Sequence, residues 1–72
     1  MLFNLVFDMQ KITPRQIEIL KLSSKGFTSK QVGEKLGISF RTVEKSLEIT
    51  RKKFGCHNII QLITITKKKR II

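Results

Sequence analysis

TSKQVGEKLGISFRTVEKSL, residues 28–47, is the stretch of sequence that decides the fold. Its apolar residues have the spacing of two short helices that pack together across a tight turn. Gly33 leaves room for a close neighbour, and Gly37 can take the left-handed backbone conformation that ends a helix. The stretch therefore predicts two helices and a turn, with the second helix presented outward. The apolar residues concerned are Val32, Leu36, Ile38, Val43 and Leu47.

A preceding helix is indicated by its capping residues. Thr13 and Gln16 have the spacing of a capping box, and Gly26 marks the end of this first helix. Ile17 and Leu20 are expected to face inward, and the pattern leaves the direction of Ile19 open.

The same capping pattern recurs further along the chain. Thr28 and Gln31 form a second capping box, and Gly37 stops the second helix. A third helix is predicted from Ser39 to about Phe54. Its inward stripe has helical spacing, and the polar threonine is the weakest member. The stripe consists of Val43, Leu47, Thr50 and Phe54.

The segment IIQLITIT, residues 59–66, is rich in β-branched residues, so propensity alone permits a strand. A helix over about 59–68 is favoured, because Asn58 can cap it and a lone strand has no partner in a chain of helices. The basic end at 67–70 is expected to fray. The predicted fold class is all-α, with four helices and a central helix-turn-helix.

The composition limits the range of functions. The chain has 72 residues and a formal net charge of +10, from 15 Lys and Arg against 5 Asp and Glu. This length permits one small domain, and the charge favours nucleic acid or an anionic membrane surface as partner over solubility alone. The single cysteine, Cys56, cannot form an internal disulfide, which is typical of a reducing cytoplasm. No apolar run approaches the roughly 18 residues that span a bilayer.

Residues 1–11 are predicted to be a lead-in segment before a domain at 12–70. The run MLFNLVFDM is short and lacks a basic flank and a small-residue cleavage site, so it is not interpreted as a signal peptide. We expect it to pack on the domain, and a linker stub or a dimer contact is the alternative. The side chains concerned are Leu2, Phe3, Val6 and Phe7.

Patterns of catalytic and metal-binding residues are missing from the sequence. Cys56 and His57 are neighbours without further ligands at zinc-site spacing, and adjacent residues rarely reach the geometry of a nucleophile and its base. The sequence contains no glycine-rich phosphate loop and no serine elbow. It predicts neither an enzyme nor a cofactor.

The third helix turns a charged face away from its inward stripe, at about 100° per residue. Such a face suits a helix that enters the major groove of DNA. It equally suits a solvated helix with charge pairs such as Glu48–Lys52 and Arg41–Glu44, and the residues alone leave both interpretations open. The face comprises Arg41, Glu44, Lys45, Glu48 and Lys52.

A wider pattern resembles the LuxR/GerE-type DNA-binding domain. The resemblance covers roughly residues 11–70 and implies a four-helix domain whose third helix reads the major groove and whose fourth helix mediates homodimerisation. Some family members consist of this domain alone, and the chain is similar to that kind. The pattern comprises ITPRQ at 12–16, IEIL at 17–20, Gly26, TSKQVGEKLGIS at 28–39, RTVEKSL at 41–47, KKFGC at 52–56 and Gln61.

Several positions depart from the pattern that the family usually shows, among them Ser23 and Ser24, which replace more apolar residues in the first helix. Glu44 replaces a basic residue, Ser46 stands where histidine is frequent, and Glu48 stands where several members have a basic or polar residue. The two carboxylates either accept from cytosine amino groups or hold the neighbouring cations in place.

Candidate site residues follow from the outward face and the resemblance together. Hydroxyls and backbone N–H groups at the starts of the second and third helices suit phosphates, and the charged face suits base edges. The candidate DNA-binding residues are Thr28, Ser29, Lys30, Ser39, Arg41, Thr42, Glu44, Lys45, Ser46, Glu48 and Lys52. The candidate dimer residues on the fourth helix are Ile59, Ile60, Leu62, Ile63 and Thr66.

The leading hypothesis is a bacterial, cytoplasmic and nucleoid-associated transcription regulator. It would bind double-stranded DNA as a homodimer and would block or recruit RNA polymerase. The alternative is a protein-interaction module that keeps the fold while Glu44 and Glu48 weaken DNA binding. A membrane-active cationic peptide is disfavoured, because individually capped helices indicate a globular domain.

Overall fold

The computed structural model describes residues 12–72, which form four helices. The helices are α1 (Pro14–Ser24), α2 (Ser29–Leu36), α3 (Phe40–Lys53) and α4 (Ile59–Lys68). No strand occurs within this described range, and the all-α prediction is confirmed. The packing expected of residues 1–11 lies outside the described residues. Between residues 12 and 72, no helix is long and apolar enough to cross a membrane.

Each helix begins at the N-cap that the sequence predicts. Thr13 and Thr28 head complete capping boxes, in which the glutamine three residues later donates its backbone N–H to the threonine hydroxyl and accepts the threonine N–H. Ser39 and Asn58 cap α3 and α4 with their side-chain oxygens. Such a cap stabilises a helix by about 1 kcal/mol. The predicted starts are therefore confirmed by local hydrogen bonds.

The core lies where α3 packs against the other three helices. Its most buried side chains come from all four helices and are at most 1% exposed. Ile19, whose direction the sequence left open, belongs to this set, whereas Ile17 is only half-buried. The fully buried apolar residues are Ile19, Leu20, Val32, Val43 and Leu62.

Thr50 occupies a core position on α3 despite its hydroxyl group. The residue is 1% exposed, and its hydroxyl donates to the Ser46 carbonyl oxygen at 2.8 Å. This bond pairs the buried polar group, so its burial carries little penalty. The other predicted members of the stripe, Leu47 and Phe54, are half-buried.

The turn between α2 and α3 is short and closely packed. Gly37 ends α2 with a left-handed backbone at φ 70°. The Ile38 N–H donates to the Gly33 carbonyl at 2.9 Å, and a Cβ on Gly33 would lie 2.6 Å from the Ile38 carbonyl oxygen. The close neighbour expected at Gly33 is therefore the backbone of the turn rather than a second helix.

The fourth segment is a helix, and the strand alternative is wrong. The basic end at 67–70, which is expected to fray, is hydrogen-bonded in this structure, because the backbone after α4 folds back on the helix. The Arg70 N–H donates to the Lys67 carbonyl at 3.0 Å, and the Ile71 N–H donates to the Thr66 carbonyl at 2.8 Å. Arg70 takes the left-handed conformation, at φ 59°, that lets the chain close this cap.

Replacing Gly33 by alanine is expected to destabilise the domain. Alanine raises helix propensity by about 1 kcal/mol, but the new Cβ overlaps backbone that cannot rotate away. Overpacking of this kind costs about 1–3 kcal/mol, so we expect a net loss in the free energy of unfolding. Urea denaturation of Gly33→Ala measures it. The exposed neighbour Glu34→Ala serves as control, and an unchanged or raised stability of Gly33→Ala would contradict the account.

Candidate nucleic-acid interface

An exposed row of charged residues runs along α3. We call this row, consisting of Arg41, Glu44, Lys45, Glu48 and Lys52, the charged ridge, and all five residues are exposed. Arg41 and Lys45 border two grooves, one on each side of the helix. The first groove is completed by the start of α2 and by α4, and the second by the start of α1. The ridge therefore projects from the domain between two depressions.

Pairing within the ridge is weak. The Lys52 ammonium lies 3.9 Å from the Glu48 carboxylate, in an exposed pair one helical turn apart. Such a pair contributes only about 0.3–0.5 kcal/mol. The predicted Arg41–Glu44 pair is absent from residues 12–72, so this part of the solvated-helix interpretation is wrong.

Glu44 is instead tethered to α2. The Ser29 hydroxyl donates to the Glu44 carboxylate across 15 positions of sequence. This bond joins the first residue of α2 to the charged ridge and fixes the direction of one carboxylate. Ser29 is half-buried, and in this arrangement its hydroxyl hydrogen is not offered to a phosphate. Glu44 is therefore oriented by α2, and the idea that it holds Arg41 and Lys45 in place receives no support.

The remaining polar candidates lie at the starts of α2 and α3. Thr28 and Ser39 are the N-caps, and the Ser39 hydroxyl lies 2.9 Å from the Thr42 hydroxyl. All three are exposed, and the first N–H groups of a helix point outward at such positions. Lys30 is exposed and shares a cleft with Ser39. These residues present donors beside the ridge.

Ser46 differs from the other candidates in its location. It is half-buried and lies in the groove between α3 and the start of α1. Its carbonyl accepts the Thr50 hydroxyl. The residue is thus at the margin of the charged ridge.

The candidate dimer residues divide into two groups. Leu62 and Thr66 are 0% exposed, and the Thr66 hydroxyl donates to the Leu62 carbonyl at 2.8 Å. They belong to the core of one protomer and present no surface for a second copy. Ile60 is 74% exposed and Ile59 is 36% exposed, while Ile63 is half-buried. Of the candidate dimer residues on α4, only these three isoleucines have surface that a second copy of the chain could contact.

Two further residues, neither of them a candidate from the sequence, lie at this surface in the structure. The Arg51 guanidinium donates to the His57 carbonyl at 3.1 Å and so fixes the loop that leads into α4. Phe40, the first residue of α3, is 55% exposed. Periodicity did not reveal this exposure, because Phe40 precedes Val43 by three residues and so continues the spacing of the inward stripe.

Residues 12–72 contain no group of three or more His, Cys, Asp or Glu side chains that could hold a metal ion. Cys56 is a half-buried free thiol, and its sulfur lies 3.8 Å from the Phe54 carbonyl oxygen. The cations and flanking hydroxyls of the charged ridge are suited to binding a polyanion.

The Ser29–Glu44 bond is expected to couple the two residues energetically. A double-mutant cycle of Ser29→Ala and Glu44→Ala, read by urea denaturation, should give a coupling of about 1 kcal/mol, because the bond has a charged acceptor. The cycle of Glu48→Ala and Lys52→Ala is the matched control and should give less than half of that value. A coupling near zero for Ser29 and Glu44 would contradict the tether.

Comparison with known proteins identifies the domain. Residues 10–66 match the GerE family model, described as bacterial regulatory proteins of the luxR family. The chain is also similar to the oxygen regulatory protein NreC of Staphylococcus aureus, from strains JH9 and USA300 among others. Each is 33% identical over 61 residues, which cover 85% of this chain and 28% of the relative. The chain thus matches less than a third of the length of these relatives, and no solved structure matches it significantly. The predicted resemblance is confirmed, and the chain belongs to the LuxR family of bacterial regulatory proteins, with the helix-turn-helix domain of DNA-binding transcription regulators.

Proposed function

We propose that this chain is a sequence-specific transcription regulator that places α3 in the major groove of double-stranded DNA. Membership of the LuxR family supports DNA binding and transcription regulation. The observation that supports placing α3 in the major groove is the exposed charged ridge. This ridge projects between two grooves in a chain of net charge +10. In helix-turn-helix proteins, the helix after the turn meets the base edges with its N-terminal residues.

Each part of the surface has a role in this docking. Arg41 and Lys45 donate to guanine O6 and N7, since both project from the ridge. Glu44, held by Ser29, accepts from a cytosine amino group. Thr28, Ser39, Thr42, Lys30 and Lys52 contact phosphates, which positions α3 without reading sequence.

The protein is proposed to act as a homodimer through α4. Ile60 places a large apolar side chain in solvent, and Ile59 and Ile63 adjoin it along the first groove. Two copies related by a two-fold axis would read half-sites about 10 base pairs apart. Bound at a promoter in the bacterial nucleoid, such a dimer blocks or recruits RNA polymerase.

DNA binding is expected to depend strongly on salt. Each phosphate that a lysine or arginine neutralises adds about −0.9 to the slope of log K against log salt concentration. Lys30→Ala should reduce the magnitude of this slope by about 0.9 for every duplex. Fluorescence anisotropy over a salt series measures the slope.

Lys35→Ala is the matched control for this series. It removes the same charge from the other end of α2, where the ammonium lies 4.5 Å from the centre of the Phe27 ring. Its slope should remain that of the unchanged protein. A salt-independent affinity, or failure to retain any duplex at low salt, would contradict DNA binding.

A protein-interaction module with weakened DNA binding is the second candidate, favoured by the two carboxylates on the ridge. A carboxylate near phosphates costs affinity through repulsion, unless it accepts a hydrogen bond from a base. The two functions therefore predict opposite effects of removing Glu44.

Glu44→Ala is expected to lose about 1–3 kcal/mol at the preferred base and to change binding to scrambled DNA little. The preferred duplex is first selected from random DNA. Anisotropy titrations then measure the affinity of Glu44→Ala for the preferred and the scrambled duplexes. Glu48→Ala is titrated with the same two duplexes. A uniform gain on both duplexes would refute the specificity role and favour the interaction module.

Ile60→Asp is expected to prevent dimerisation and to weaken binding to duplexes with two half-sites, because it places a charge in an apolar contact. Sedimentation with and without DNA gives the oligomeric state. Ile49→Asp, on α3 at 39% exposure, is the same change on another surface and should still dimerise. If Ile60→Asp dimerises normally on DNA, the contact lies elsewhere.

A further inference from the structure

Phe40 exposes a large aromatic surface that the fold does not account for. It is 55% exposed, more than any other large apolar residue among 12–72 except Ile60. Capping of α3 is performed by Ser39, and the fully buried positions of the helix begin at Val43. Burial of a phenylalanine side chain stabilises a fold, so a side chain that stays largely exposed leaves much of this stabilisation unused.

The ring lies where the charged ridge meets the start of α2. On one side Phe40 shares a cleft with Lys30 and Ser39, which are candidates for phosphate contact. On the other side it borders the groove that contains Arg41 and Glu44. Phe40 is therefore surrounded by the residues to which the proposed function assigns DNA contacts, although it has no polar group itself.

We propose that Phe40 is a specificity-determining residue that packs against the C5-methyl group of a thymine. This inference rests on the proposed function, because it requires α3 to lie in the major groove. Among the four bases, thymine alone presents an apolar group there. A phenyl ring can neither donate nor accept a conventional hydrogen bond, so the methyl group is the feature of a base edge that it matches.

The position of Phe40 supports a contact at the base edges rather than at the backbone. As the first residue of the helix after the turn, it belongs to the part of α3 that enters a groove in helix-turn-helix docking. Its side chain leans towards the N-terminus of the helix, away from Lys52 and the far end of the ridge. Arg41 follows it directly, and both residues border the first groove.

Replacement of thymidine by deoxyuridine tests this contact, because it removes only the C5-methyl group. The probe is a duplex selected from random DNA with the unchanged protein, in which each thymine is replaced in turn. Deoxyuridine keeps every hydrogen-bonding group of thymine. We expect about a fourfold loss of affinity at one or two thymines per half-site, the value for one buried methyl group.

Phe40→Ala should bind the thymine and deoxyuridine duplexes equally at those positions, whereas Phe40→Leu should still distinguish them. Ile49→Ala, on the other side of α3, is the control and should retain the full discrimination. Thermal melting verifies that each variant is folded. If Phe40→Ala does not fold, the deoxyuridine series with the unchanged protein still tests whether a thymine methyl group is contacted.

The possible outcomes separate this inference from the function on which it rests. Failure of the unchanged protein to bind any duplex refutes the proposed function and the thymine contact together. Strong binding with no sensitivity to any deoxyuridine, or selected sites without thymine, refutes the thymine contact alone. The same sensitivity in Phe40→Ala refutes it as well, and the exposed ring would then be a surface for a protein partner.

Discussion

At Gly33 the backbone of α2 meets the turn that leads into α3, and a Cβ at this position would lie 2.6 Å from the Ile38 carbonyl oxygen. This close approach allows the loop between α2 and α3 to be only three residues long, Gly37, Ile38 and Ser39. With so short a connection, the start of α2 lies beside the first turns of α3, and the Ser29 hydroxyl reaches the Glu44 carboxylate. The inner side of α3 is at the same time covered by α1 and α2, which leaves its charged side outward. The arrangement of the candidate interface thus depends on the absence of a side chain at Gly33.

The tether also gives a physical reason for a carboxylate beside a polyanion. A freely rotating Glu44 would lose side-chain entropy on binding and would be repelled by phosphates. Held by Ser29, it is an acceptor in one place, so less entropy is lost when a base donor meets it. In the proposed docking, the same fixed charge would oppose guanine O6 or thymine O4 at that position, and this repulsion would add to specificity. Glu48, which is paired with Lys52 only at 3.9 Å, has no comparable restraint.

Local features of this fold were predictable, and features that cross between helices were not. Capping boxes act over three residues, so Thr13 and Thr28 predicted their helix starts directly from sequence. The Ser29–Glu44 bond spans 15 positions and depends on how α2 crosses α3, which no local pattern encodes. On α4, apolar periodicity identified a surplus of side chains. It did not show that Leu62 and Thr66 are the buried ones, because that depends on the rotation of α4 against α3.

Methylation interference on the selected duplex tests most directly whether α3 lies in the major groove. Dimethyl sulfate modifies guanine N7 in the major groove and adenine N3 in the minor groove, so one reaction probes both sides of the same site. If Arg41 and Lys45 make the proposed contacts with guanine N7, methylated guanines at the contacted positions of each half-site prevent binding. Methylated adenines at neighbouring A·T base pairs should be tolerated, because adenine N3 lies in the minor groove. Interference confined to adenine N3, or absent from a duplex that the protein binds, would contradict the placement of α3 in the major groove.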